Sequence, residues 1–290
     1  MLNYRSADTL FRRASGTVAC VSVLALTAII VLFLLAQGLP IFKDVPIGDF
    51  LFTTDWYPTD EPPVFGLGAM IVGSFAAAVL TAVIAVPLGV LTAAALHCAV
   101  PAWAARILKP VIELMAALPS VVIGFIGMVI VAPWLQETFN LPTGLNLFNA
   151  GLMLAFMCIP TIASISEDAL RNVPGALREA SLALGATRWE TLCRVELRWA
   201  MGGIGTSVML GLSRAIGETM AVVMVAGNQT WMPKGLFQGL RTMTSNIVIE
   251  MGYAADLHRE ALIATGVVLF VFILLINLCF SLVKGGKKNG

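Results

Sequence analysis

Six long apolar runs, near 17–39, 67–96, 108–132, 146–166, 201–226 and 261–283, are separated by shorter stretches that hold most of the charge. A helix crossing the hydrocarbon of a bilayer needs about 20 apolar residues, so every run is long enough to span. The pattern predicts an all-α integral membrane protein with six transmembrane helices. Residues 1–16 form an N-terminal segment and 17–39 a first helix. Residues 40–65 are then a loop, 66–283 a core of five spans, and 284–290 a tail.

Basic residues orient this arrangement, because Lys and Arg are retained on the cytoplasmic side. Arg5, Arg12 and Arg13 precede the first run, and Arg106 and Lys109 join the second to the third. Arg171, Arg178, Arg188, Arg194 and Arg198 join the fourth to the fifth, and Lys284, Lys287 and Lys288 follow the sixth. Six crossings put all of these on one face. The other face has Lys43, Lys234, Arg241 and Arg259 among acids that include Asp44, Asp49, Asp55, Asp60 and Glu61. Both termini are therefore expected in the cytoplasm, and loop 40–65 outside it. A cleaved export signal is the alternative for the first run, with Ala36-Gln37-Gly38 as a small-x-small site. Its apolar stretch exceeds the roughly 7–15 residues of a signal core, which favours an uncleaved anchor.

The segment 172–199 between runs four and five is charged yet helix-patterned. Pro174 suits a first helical turn. Leu177, Ala180, Ser181 and Leu184 then recur at i, i+3, i+4 and i+7 as one small, apolar stripe. Gly185 supplies a C-cap. Thr187 with Glu190 reads as a capping box opening a second helix, on which Trp189, Leu192 and Cys193 share a face. The five arginines here are matched in number by Glu167, Asp168, Glu179, Glu190 and Glu196. A basic segment holding anionic lipid is one reading; the balanced charge favours a hairpin that inserts into a groove on a protein partner.

Run five carries Arg214 about 13 residues from its start, roughly 20 Å into the bilayer. A charge at that depth costs at least about 2.5–3.5 kcal/mol, so it faces water or a partner. Ser207, Gly211, Arg214 and Glu218 follow at i, i+4, i+7 and i+11, along one small, polar helix face. A self-neutralising structural pair is one interpretation. The other is contact with an anion, since the planar guanidinium fork holds two oxygens at once; Glu218 would then hold Arg214 between substrates. Pro87, Gly89, Pro119, Gly124 and Pro160 lie inside runs, as simple kinks or as pivots of a gated path.

Composition narrows the choice mainly by exclusion. The chain is 58% hydrophobic and 12% charged, with mean hydropathy +0.89, and its net charge of +1 offers no basic face for nucleic acid. The five cysteines have no metal-like spacing and read as packing residues. Glu113 lies near a span end and can snorkel. His97 and His258 have no sequence neighbours suited to a metal or a catalytic base. No catalytic residue, metal site or cofactor is expected, and without GxxxxGK[ST] the chain has no P-loop for ATP.

Glu179-Ala180-Ser181 with Gly185 resembles the EAA loop of ABC-importer permeases, the coupling helix that docks on the ATPase subunit. Ser181 stands for the motif's second Ala, and Val195-Glu196-Leu197-Arg198 replaces its closing Ile-x-Leu-Pro. Ser213-Arg214-Ala215-Ile216-Gly217-Glu218-Thr219-Met220-Ala221-Val222 is similar to phosphate-importer permeases of the PstC type. So are Leu118-Pro119-Ser120-Val121-Val122-Ile123-Gly124, Arg241-Thr242-Met243-Thr244-Ser245-Asn246-Ile247, and Glu250-Met251-Gly252-Tyr253. Similarity runs from about 65 to 282, and loop 40–65 has no distinctive match. The resemblance implies an inner-membrane permease for inorganic phosphate, with Arg214 and Glu218 on the substrate pathway and Glu179, Ala180, Ser181 and Gly185 at the ATPase contact. It also implies a homologous PstA-type permease as heterodimer partner, two PstB-type ATP-binding subunits and an extracytoplasmic PstS-type phosphate-binding protein. Permeases for molybdate or sulfate would share the arginine chemistry. A secondary transporter coupling Arg214 and Glu218 to a proton needs no ATPase dock, so the hairpin argues against it.

Overall fold

The computed structural model describes residues 2–285, with side chains chiefly from Ser15 to Cys279. Residues 286–290 of the expected tail, and the side chains of Arg5, Arg12, Arg13 and Lys284, lie outside the described set. Helix α1 (Leu2–Gly38) leads through a 3-10 turn (Pro40–Lys43) to α2 (Ile47–Phe52). Strands β1 (Trp56–Tyr57) and β2 (Val64–Phe65) pair antiparallel, with Trp56 opposite Phe65. Helix α3 (Gly68–Ala94) ends in a π-helical turn (Ala95–Ala99), and α4 covers Ala102–Ala116. Helix α5 (Ser120–Ile126) passes through a π-turn (Gly127–Val131) into α6 (Ala132–Phe139), followed by α7 (Leu147–Arg171).

Helix α8 (Gly175–Ala183) and α9 (Arg188–Thr191) form the helical hairpin. A π-turn (Leu192–Glu196) carries α9 without a break into α10 (Leu197–Gly217), after which come α11 (Met220–Val225), α12 (Met243–Glu250) and α13 (Asp256–Gly285).

Among the described residues five helical segments are long and apolar enough to cross a membrane: Ser15–Lys43, Gly68–Ala99, Ser120–Phe139, Leu147–Arg171 and Asp256–Cys279. Two of the six expected runs are reshaped. Run 108–132 is cut at Pro119, which has no N–H and turns the residue before it away from the helical region. Its first half is α4, and the spanning segment begins only at Ser120. Run 201–226 is cut after Gly217: Glu218 is extended (ψ 134°), and its Oε1 accepts from the Thr219 N–H at 3.1 Å. That local bond competes with the helical one. With Arg198, Arg214 and several glycines, α10 is not among these five segments.

Helices α3 and α7 form the centre of the molecule, with α10 laid across both. Ile162 is fully buried among Ala85, Ala155, Cys158 and Ala215, small side chains that let the backbones approach closely. A second core gathers Phe50, Trp56, Phe65, Leu67, Met243 and Leu262. Loop 40–65 is therefore a packed unit seated on α12 and α13. Along α1, Leu24, Ile29 and Leu32 are exposed, as expected of a surface that lipid covers.

Candidate functional site

The two helix breaks meet. Arg214, in the last turn of α10, donates from a terminal guanidinium nitrogen to Ala116 O at 3.0 Å. That oxygen lies in the final turn of α4, where carbonyls have no partner within the helix and attract a cation. Beyond the breaks α5 and α11 pack so closely that a Cβ at Gly124 would lie 2.8 Å from the Ala221 Cα. Thr244 Oγ1, in the first turn of α12, donates to Glu218 O at 3.0 Å and pins the second break from the side.

Arg214 is exposed and Glu218 half-buried, but among the described residues they form no ion pair with each other. The expectation that Glu218 holds Arg214 is thus corrected: the helix ends before Glu218 reaches the shared face. The face itself also divides. Ser207 is buried, its Oγ 2.7 Å from Ser166 Oγ, and Cys158 Sγ donates to Gly211 O at 3.2 Å. Ser207 and Gly211 are contacts with α7, and only Arg214 remains open. A guanidinium held by one carbonyl keeps other N–H groups available, which suits it to an oxyanion.

In the hairpin, Gly185 has φ +86°, where a side chain would be strained. Ala186 N–H donates to Ser181 O and Gly185 N–H to Leu182 O, the bond pair of a Schellman cap. Thr187 and Glu190 form the reciprocal capping box. Bonds from the Thr187 N–H and then its hydroxyl hold the Glu190 carboxyl below its ordinary value. Helix α8 has no buried residue: Glu179 and Ala180 are exposed, as are Leu177, Leu182 and, at 90%, Leu184. Ser181 is half-buried, with its Oγ 2.9 Å from Thr191 Oγ1. Trp189 and Cys193 are exposed, but Leu192 is fully buried, because the π-turn that begins there rotates the chain out of α-helical register.

The charges pair differently from the expected matching. Lys109 bridges Glu167 (2.6 Å) and Asp168 (2.5 Å), tying α4 to α7, and Arg171 pairs with Glu167 at 3.1 Å. Arg178 pairs with the buried Glu196, while Arg188, Arg194 and Arg198 make no direct ion pair among the described residues. His97 has neighbours after all: its Nε2 lies 2.9 Å from Glu196 Oε2 and 2.8 Å from an Arg178 nitrogen.

Sequence reasoning missed a cluster at the end of the molecule away from the hairpin. Buried Glu250 accepts from Trp56 Nε1 at 2.8 Å and Arg241 Nη1 at 2.5 Å, and lies 2.8 Å from His258 Nε2. Arg241 also donates to Asn246 Oδ1 and to Asn228 O. The available signal was a basic and an acidic residue nine positions apart, with a lone Trp in a loop facing them.

Residues 85–285 match the family described as the binding-protein-dependent transport system inner membrane component. The chain belongs to this family. A probable ABC transporter permease protein, YqgH of Bacillus subtilis (strain 168), is 39% identical over 281 residues, covering 94% of this chain and 91% of the relative. The phosphate transport system permease protein PstC of Pasteurella multocida (strain Pm70) is 34% identical over 289 residues, covering 93% and 89%. Among solved structures, an inward-facing MetNI methionine ABC transporter aligns with TM-score 0.57 at 20% identity over 76% of this chain and 94% of that one. A bacterial ABC transporter involved in import of the polysaccharide alginate gives 0.57 at 14% identity, over 74% and 78%. At such identities the structural likeness establishes the fold alone. In this inner membrane component, the family's matched stretch includes both helix breaks and the hairpin but not β1 and β2.

Proposed function

We propose that this chain is the permease subunit of an ABC importer for inorganic phosphate, a transport component whose ATP is hydrolysed by separate subunits. The observation that carries the reading is the likeness to proteins named PstC over about nine-tenths of the chain. The exposed Arg214 beside the two breaks supports phosphate as cargo. α10 and α11 together complete a sixth crossing, so that both termini and the hairpin face the cytoplasm. A PstA-type permease pairs with this one around a shared pathway, and a PstS-type binding protein delivers phosphate at the opposite face.

In this reading the α8 hairpin, with Glu179, Ala180, Ser181 and Gly185, seats in a PstB-type ATPase. Closure of the two ATPases draws the hairpins together and tilts the helix bundles from outward to inward opening. Arg214 takes the phosphate oxygens as they pass the breaks, and Glu218 lies on the same pathway at the second break. The test is uptake of labelled phosphate in cells lacking the chain and then complemented, with molybdate and sulfate as competitors. Restored phosphate uptake that neither anion suppresses is expected; suppression by one of them would reassign the cargo. For Arg214→Gln we expect uptake to fall about tenfold to a hundredfold at normal membrane levels, the loss expected for a charged hydrogen bond at about 1.5–3 kcal/mol. Full uptake by this variant would make Arg214 structural.

A further inference from the structure

Helix α8 is suspended rather than packed. It has no buried residue, and two polar ties hold it to the body of the protein: Ser181 to Thr191, and Arg178 to Glu196 with His97. The second tie is unusual in its attachments. Glu196 lies in the π-turn that leads into α10, and His97 lies in the π-turn that ends α3. π-turns are rare and recur at functional sites because they place side chains where α-helical register would not. Here each supplies one partner to the same arginine. The two Glu196 oxygens are divided, Oε1 to Arg178 and Oε2 to His97, at 3% exposure of the carboxylate.

We propose that Arg178, Glu196 and His97 form a strut, three positioning residues that transmit displacement of the docked hairpin to α3 as well as to α10. Chain connectivity joins the hairpin to α7 through residues 172–174 and to α10 through α9, and Val173 and Leu192 at its two ends share an apolar cluster with Ala93 and Ala94 of α3. Among the described contacts, the strut is the one that ties α8 itself to the end of α3. A cavity of about 310 Å³, lined by His97, Arg178, Leu182, Arg188, Thr191 and Glu196, leaves the cluster room to shift as a unit. Arginine suits this task because its planar fork holds the carboxylate while a second N–H lies beside the imidazole Nε2, which serves the arginine or the carboxylate according to its tautomer.

The inference rests on the hairpin docking to an ATPase, so the experiment separates the two. The complete transporter is reconstituted in liposomes with its binding protein, and phosphate moved per ATP hydrolysed is measured together with co-purification of the ATPase subunits. Glu196→Gln cannot accept from both partners. It should leave co-purification intact and lower phosphate per ATP by at least about fivefold, the low end of coupling between sites. Arg178→Gln should do the same, and the double variant should be no worse than the poorer single, because both remove one linkage. Arg178→Lys should recover part of the ratio. If Glu196→Gln does not insert, His97→Leu, which keeps the carboxylate paired with Arg178, should still lower the ratio by about twofold or more. An unchanged ratio in these variants, or hydrolysis and uptake falling together in proportion, overturns the strut. Gly185→Trp that keeps both co-purification and uptake overturns docking instead.

Discussion

Two buried glutamates, one at each end of the molecule, are held by the same pair of residue types and serve different purposes. Glu250 lies between Arg241 and His258, whose side chains are 13% and 10% exposed, and it also receives the Trp56 indole N–H. Trp56 in turn meets Phe65 and His258 edge to face, and the whole group backs onto a core of large apolar residues. Glu196 has the same arginine and histidine company, but its Arg178 is 43% exposed and anchors a helix with nothing buried. The difference is in what the arginine is attached to. At one end it is part of the packed body and the cluster is a clamp; at the other it belongs to a suspended helix and the cluster is a link.

The sharpest break of this contrast is Glu250→Ala. Removing one partner of a buried, multiply bonded charge cluster destabilises by about 3–5 kcal/mol. We expect a large fall in the melting temperature of the detergent-solubilised protein, and uptake reduced only as folded protein is lost. Glu196→Gln should move the melting temperature far less while changing coupling. Equal thermal losses from the two would erase the distinction between clamp and link.

Trp56→Phe refines it on a smaller scale. The ring stays and one hydrogen bond to a carboxylate goes, for which about 1.5–3 kcal/mol is the expected loss. Glu250 keeps its other partners, so the outcome belongs at the lower end, read as a modest drop in melting temperature with transport per ATP unchanged. A change in coupling would mean that the clamp also moves.

What could be read in advance divides along physical lines. A run such as 146–166 is legible because bilayer thickness imposes a length on apolar sequence, and Thr187, Glu190 and Gly185 because caps and left-handed turns are local chemistry. Arg214 stood out because charge is costly in hydrocarbon. Pro119 was noted among five residues that could kink a run, though not as a full break, and the break at Glu218 was hidden inside a run whose averaged hydropathy barely registers one glycine. The assumption of continuous helix then put Glu218 on a face it does not share. The glutamate clusters were out of reach for a different reason: Trp56 and Glu250 are 194 residues apart, and His97 and Glu196 are 99 apart. Only the packing of α3, α10, α12 and loop 40–65 brings them together, and no local pattern encodes that.

The smallest effect concerns how rigidly the link's hairpin is held. Thr187 and Glu190 cap α9 reciprocally, and losing an N-cap residue costs about 0.5–2 kcal/mol of local helix stability. Thr187→Ala should therefore raise hydrogen exchange across 187–191 and leave exchange in α12 unaltered. The pH dependence has a definite sign. The Glu190 carboxyl is held below its ordinary value of 4.5 by the Thr187 N–H and hydroxyl, so its contribution is complete above that value and is lost as pH falls through the lower folded value. Exchange across this turn, corrected for intrinsic rates, should be flat between about pH 6 and pH 8 and should rise only in acid. A step near neutrality would mean that a group other than Glu190 governs the hairpin.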